Sequence, residues 1–432
     1  MSRHISNYGP RSSSRGAPAR LKLNGSRRRL PLVTLLVVAV VVLVAIRVIT
    51  HSPDNVRLTL TADRSVQLPG HAPKPAWPTD GEAAFKVLGI GSLGSSGGHA
   101  PRPTASLAKV MTAYLILKDH PLTAGGNGFT VTITPAEARA TDADRAEDQS
   151  VVAVAAGEQL TERQLLEGLL IPSGDNIARI LATYASGSVA AFVAQMNREA
   201  QALGMHDTTY TDPSGFDSST VSTAPDQLKL FEQAVRIGSF RRIVELASVS
   251  LPVAGTVTNF DPLITRGYYG KTGSDSAAEG CLAFFHYVTV AGRRVTELGV
   301  VMGQGFGSGT YAVLAAAGEA AARLATSVTP AIRVITVVRR GAAVFTATNA
   351  SGQSMTGAAT TALKVLGWGG LREQLSVTRE PLGSGLEAGQ QLGMISLAGP
   401  LPLPAGGAAA SMVRATRALT TPGLSWRISH LF

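Results

Sequence analysis

Leu30–Ile46 is a 17-residue run with no charge, broken only by Pro31 and Thr34. It resumes beyond Arg47 with Val48 and Ile49. A helix needs about 20 apolar residues to cross the hydrocarbon of a bilayer, so the segment 30–49 is long enough to span. Arg47 can reach the outer headgroups along its aliphatic stem. Arg27, Arg28 and Arg29 precede the run, and basic flanks stay in the cytoplasm. The stretch from Ile46 to His51 has no small-x-small cleavage site, which favours a signal-anchor over a cleaved leader. The expected topology is a single-pass protein of the cell membrane. Residues 1–29 form a disordered basic leader inside, 50–78 an extracytoplasmic linker, and the remainder lies outside.

The leader also accounts for the charge. The net +10 includes nine basic and no acidic side chains in residues 1–50, which leaves the rest of the chain close to neutral. A nucleic-acid binder carries its positive charge on the folded body, so no nucleic-acid partner is expected. The single cysteine, Cys281, cannot form an intramolecular disulfide, and no Cys/His cluster has zinc spacing. Neither a metal nor a cofactor is expected.

Between 79 and 327 the pattern mixes helices and strands. Ser106–Leu117 has helical apolar spacing. Thr134–Glu137 and Thr161–Gln164 read as capping boxes, and Ser188–Leu203 as a further helix. Cys281–Val290 and Val295–Met302 read as a hairpin, followed by an Ala-rich helix over Tyr311–Leu324. This is an α+β body, an antiparallel sheet beside a helical block. Residues 328–432 shift to short β-like pieces between glycine-rich turns and carry nine basic against three acidic residues. A separate small β-rich unit is expected there.

Three short motifs stand out. Ser106-Leu107-Ala108-Lys109 is the only place where one of the eight lysines follows a serine by three positions. Residues i and i+3 share a helix face, so the hydroxyl and the amine can meet. A serine needs such a base to become a nucleophile. Ser173-Gly174-Asp175-Asn176 is a polar loop inside an apolar helical pair, and Lys271-Thr272-Gly273-Ser274 precedes the hairpin. Each alone is compatible with ordinary solvated structure. In this order, on helix, loop and strand, they form the set used by penicillin-binding proteins and class A β-lactamases.

The segment Pro103–Ala113 (PTASLAKVMTA) resembles the active-serine region of the D-alanyl-D-alanine carboxypeptidases, the low-molecular-mass penicillin-binding proteins. Phe192–Asn197, Leu203–Met205, Asp212–Asp217, Gly270–Gly273 and Gly280-Cys281 are similar to that family's other blocks, in its actinobacterial type. The resemblance covers about 79–326. It implies a penicillin-recognising serine transferase (β-lactamase-like) fold, with a five-stranded antiparallel sheet beside a helical subdomain. It implies Ser106 as the nucleophile attacking a peptidoglycan stem peptide ending in D-Ala-D-Ala, Lys109 as proton acceptor and Ser173 as proton relay to the leaving D-Ala. Asp175, Asn176, Lys271, Thr272, Gly273 and Ser274 would bind substrate, with the backbone N–H groups of Ser106 and Ser274 as the oxyanion hole. β-Lactam antibiotics would inhibit, and no metal is required.

Asp175 departs from this pattern. It stands at the third position of Ser-x-Asn, and Asn176 comes one residue late. Either Asp175 pairs with a cleft lysine, or the loop slips so that Asn176 takes the donor place. A class A β-lactamase would need a loop glutamate after the second motif, and none occurs between Glu199 and Glu232. A D,D-endopeptidase and a non-catalytic wall-binding protein remain the alternatives.

Overall fold

The structure, a computed structural model, describes residues 32–98 and 100–431. The basic leader 1–29 lies outside the described residues. The apolar run is a 19-residue helix, Leu32–Thr50, in which Val48 alone is buried. Its other apolar side chains are exposed.

The body is built on a five-stranded antiparallel sheet with the spatial order Tyr268–Asp275, Glu279–Val290, Arg293–Gln304, Glu82–Val87 and Gly91–Ser96. The long hairpin turns at Ala291 and Gly292, both with positive φ (49° and 74°). Such two-residue turns match the twist of the strands they join. The first strand ends at Val290 as the apolar pattern indicates, and the second begins at Arg293, closer to the turn than Val295. On one face the helix Thr310–Val328 packs Ala317, Ala321 and Leu324 against Phe85, Leu282 and Phe284. The other face, through Phe285 and Val300, joins the helical block Ala108–Asp119, Glu162–Leu170, Asp175–Ser186 and Ala224–Arg236. Both expected capping boxes are present. Thr134 with Glu137 and Thr161 with Gln164 exchange side-chain and backbone hydrogen bonds, which fixes where those helices begin.

The segment 50–78 is not simply a linker. Arg57–Leu60 and Ser65–Gln67 are the two edge strands of a seven-stranded antiparallel sheet. The other five strands lie between Ala343 and Ala415. Arg57 pairs with Thr348 and Gln67 with Arg372. Leu58 and Leu60 turn towards that sheet's core, which holds Phe345, Leu392, Ile395 and Val413. A second contact ties this β-rich unit to the body, since Leu68, Leu366 and Trp368 share one apolar cluster with Phe85 and Phe284.

Glu297, on the central strand Arg293–Gln304, is fully buried and accepts a hydrogen bond from the Thr329 hydroxyl (2.8 Å). Burial raises its carboxyl to about 7. The folded protein therefore holds this proton more tightly than the unfolded chain. Its contribution to stability is present below the ordinary glutamate range and is lost as pH rises through about 7, a loss on the order of 3 kcal/mol. Melting temperatures of Glu297→Gln should fall less between pH 5 and 8 than those of the unaltered protein. Parallel profiles would show that Glu297 does not carry this dependence.

Candidate active site

A cleft of 270 Å³ opens between the free edge of strand Tyr268–Asp275, the helical block and the first turn of Thr310–Val328. Its lining includes Ser106, Ser173, Thr272, Gly273 and Ser274. The three sequence motifs thus converge on one place.

Ser106 sits in a single 3-10 turn, Ala105–Leu107, that runs into the helix Ala108–Asp119. Ala105 has φ +44°. A non-glycine residue in that region stores strain, which the surrounding packing must hold. Gly215 supplies part of that packing, because any Cβ there would overlap the Ala105 carbonyl. Gly273 supplies the rest. A Cβ on it would lie 3.2 Å from the Ser106 backbone nitrogen and 3.0 Å from the Thr104 carbonyl oxygen. Glycine lets the strand pass this close to the backbone of Ser106.

Lys109 is entirely buried, and its Nζ lies 2.7 Å from Ser106 Oγ, the approach expected from the i, i+3 spacing. It also lies 2.6 Å from Asp175 Oδ1 and donates to the Ser214 carbonyl at 3.2 Å. An ammonium has three donors, and these three oxygens take all of them. The Ser214 carbonyl is held in place by Asp212. Its Oδ2 accepts from the backbone N–H groups of Ser214, Gly215 and Phe216, and its Oδ1 from the Thr220 hydroxyl. Thr112, one turn along from Lys109, donates to the Pro213 carbonyl at 2.6 Å. The Asp212–Phe216 stretch, noted in the sequence without a role, is therefore a support for Lys109.

Asp175 opens the helix Asp175–Ser186, where the helix dipole favours a negative charge. Besides Lys109 it binds the Ser150 backbone, accepting from its N–H at 3.0 Å and donating to its carbonyl at 2.7 Å. Asn176 does not take the donor place. Its amide is consumed by Thr141 Oγ1 (3.1 Å) and by both backbone groups of Val152 (2.8 and 3.0 Å). Asn176 thus pins the 141–152 segment and Asp175 pairs with Lys109, and neither is among the residues that line the cleft. Ser173 has φ +65°, faces the cleft, and its Oγ has no hydrogen-bond partner among the described residues.

Lys271 is also buried, beneath the cleft wall, with Nζ donating to the Thr272 carbonyl at 2.8 Å. Burial first, then the charge of Lys109, pushes its ammonium well below the usual lysine range, and Asp175 and Asp261 oppose this. Asp261 belongs to none of the sequence motifs. It is buried, accepts from the Leu263 N–H at 2.8 Å, and burial raises its carboxyl to about 6. Other lining residues also lie outside the motifs: Ser150, Phe260, Thr310, Tyr311 and Leu314. Each reaches the cleft through the tertiary fold.

The family described as D-alanyl-D-alanine carboxypeptidase matches residues 93–303, the stretch that contains all three motifs. The D-alanyl-D-alanine carboxypeptidase DacB2 of Mycobacterium tuberculosis is 32% identical over 226 residues, 50% of this chain and 73% of that protein. The D-alanyl-D-alanine carboxypeptidase of Streptomyces sp. strain K15 is 32% identical over 202 residues, 42% of this chain and 67% of that one. The crystal structure of the Streptomyces K15 DD-transpeptidase superposes with a TM-score of 0.51 at 26% identity, covering 60% of this chain and all of that one. Penicillin-binding protein 5 of Haemophilus influenzae, at 19% identity, shares the fold over 80% of this chain and 99% of its own, with a TM-score of 0.53. With a serine–lysine pair at hydrogen-bond distance under an open strand edge, and with relatives that match over most of their own length, the chain belongs to the D-alanyl-D-alanine carboxypeptidase family.

Proposed function

We propose that this protein is a membrane-anchored serine D-alanyl-D-alanine carboxypeptidase that trims the terminal D-Ala from peptidoglycan stem peptides. The observation that carries the reading is the 2.7 Å contact between Ser106 Oγ and a fully buried Lys109 Nζ, at the foot of a cleft walled by an unpaired strand edge. Such an edge offers backbone donors and acceptors to an extended peptide. Lys109, once neutral, takes the Ser106 proton, and Oγ attacks the carbonyl of the penultimate D-Ala. The backbone N–H groups of Ser106 and Ser274 receive the oxyanion. Ser173 passes a proton to the departing D-Ala amine, and Lys271 with Thr272 holds the terminal carboxylate. Water then attacks the acyl-enzyme and releases the shortened peptide. The same acyl-enzyme chemistry makes β-lactams covalent inhibitors.

The helix Leu32–Thr50 is the anchor in this reading. Its apolar side chains other than Val48 are exposed, and the arginine cluster before it supports a body on the outer side. Incubation with a peptide ending in Lys-D-Ala-D-Ala should release free D-Ala, and a fluorescent penicillin should label the protein in the membrane fraction. Labelling without D-Ala release would favour a penicillin-binding wall protein without peptidase activity. A mature N-terminus near residue 51 would remove the anchor.

A further inference from the structure

The C-terminal sheet cannot be flat. Arg57–Leu60 and Ser65–Gln67 are its two outermost strands, yet the chain passes from Leu60 to Ser65 through residues 61–64 alone. Such a link spans at most about 18 Å. Seven strands laid side by side in a plane would hold the outer two about 29 Å apart. The sheet therefore curls on itself, and the link 61–64 bridges its two edges.

A cavity of 490 Å³ opens at that link, with Ala62 and Asp63 in its lining. The rest of the lining comes from both ends of the strand order. Val344 belongs to the second strand, Ile395 to the fifth and Leu375 to the sixth. The mouths of curled and closed sheets are recurrent ligand sites, and this volume is in the range that such sites have.

The lining changes in character with depth. Val344 and Ile395 are fully buried and Leu375 is 6% exposed, whereas Asp63, Arg339 and Arg340 are exposed. No aromatic ring, hydroxyl or side-chain amide lines the cavity. A sugar or a peptide would bury polar groups there without partners, which is unfavourable. An aliphatic chain has no such groups, and each methylene taken out of water is worth about fourfold in affinity.

The charge stands at the entrance. Arg339 and Arg340 open the turn between the strands Arg333–Val338 and Ala343–Thr348. That turn is fixed: the Arg339 carbonyl accepts from the Ala342 N–H at 3.0 Å, and the Gly341 N–H donates to the Ala359 carbonyl at 2.8 Å. Among the described residues neither guanidinium has a hydrogen-bond or ion-pair partner, and neither does the Asp63 carboxylate. Two cations and one anion leave the entrance net positive. Guanidinium donors match the oxygens of a carboxylate or a phosphate in pairs.

We propose that this cavity binds a single-chain anionic amphiphile, its aliphatic chain inside the curled sheet and its carboxylate or phosphate at Arg339 and Arg340. The cavity shares no lining residue with the cleft that holds Ser106, so the inference is independent of the carboxypeptidase reading.

The test uses the full-length protein in phosphatidylcholine nanodiscs, whose lipid has no net charge. The probe is a diazirine-tagged myristate, with photo-adducts mapped by peptide mass spectrometry. Adducts should fall on peptides that contain residues 337–344, 375 and 395. Myristate and tetradecyl phosphate should compete, tetradecanol about tenfold more weakly, and hexanoate not at all. The stronger of the two anions identifies the source, a free fatty acid for carboxylate and a lipid-derived amphiphile for phosphate. Arg339→Ala combined with Arg340→Ala should lower labelling about tenfold, and the corresponding pair of lysine substitutions should largely preserve it. Ala342→Phe should abolish labelling by filling the cavity. Melting curves check the fold of each variant, and the arginine pair carries the test if Ala342→Phe does not fold. Adducts confined to the helix Leu32–Thr50 overturn the inference, because partition into the bilayer alone produces them. So does competition by tetradecanol equal to that by myristate, or labelling unchanged in the arginine-to-alanine pair.

Discussion

Ser106→Ala should abolish covalent labelling by penicillin and reduce D-Ala release at least 1000-fold, while the protein melts within a few degrees of the unaltered one. The substitution removes one oxygen from a half-buried side chain whose hydrogen bond is to Lys109. Alanine is tolerated in the short 3-10 turn, and the strained backbone at Ala105 is held by Gly215 and Gly273, which are untouched. Lys109 keeps two of its three acceptors, Asp175 and Ser214. The chemistry, by contrast, loses the proposed nucleophile, and water held in the same cleft is a poor substitute. Intact-mass measurement after penicillin treatment reads the result directly. An adduct on Ser106→Ala would place the nucleophile elsewhere.

Asp175→Asn should raise the rate of acylation by penicillin about tenfold and lower the melting temperature. The two effects share one cause. Asp175 Oδ1 takes one of the Lys109 donors at 2.6 Å, a charge-assisted contact that competes with the one to Ser106 Oγ. An amide keeps the shape and removes the charge. The same carboxylate is a counter-charge for two buried lysines, Lys109 and Lys271, leaving Asp261 as the remaining nearby acid. Removing one partner of a buried pair costs about 3–5 kcal/mol when nothing replaces it, and less here because the asparagine oxygen can still accept a hydrogen bond. Stopped-flow acylation alongside thermal melts checks both. An acylation rate that stays level or falls would show that Asp175 positions the base without restraining it.

The parts of the site that could be read in the sequence are those whose geometry is local. Ser106 and Lys109 are three residues apart on a helical turn, so spacing alone brings their side chains together. The capping threonines Thr134 and Thr161 act within four residues. Asp175 could be recognised as a departure, but which of Asp175 and Asn176 faces Lys109 depends on Thr141 and Val152, which hold the asparagine from another segment. Asp261 and Tyr311 carry no local mark at all. One is a loop carboxylate and the other a surface tyrosine until the fold brings the first near Lys271 and the second to the cleft. The edge strands in 57–67 are hidden in the sequence for a related reason. Four residues give too short an alternation to stand out, and their partners lie near residues 345 and 372.

Those two edge strands decide how far the catalytic body can roam. A free linker of 28 residues would let the cleft sweep a radius approaching 100 Å from its anchor. Here the chain is clamped into the C-terminal sheet from Arg57 onwards, so six residues, at most about 20 Å, separate the end of the helix at Thr50 from a fixed point on the rigid protein. The sheet is in turn fastened to the body through Leu68, Trp368 and Phe85. On the proposed reading, with the helix in the bilayer, the cleft stays within a short fixed reach of the membrane. On that reading it would meet only those stem peptides that lie in that layer of the wall, and lengthening the stretch 51–56 would change which layer is trimmed without altering a single residue of the site.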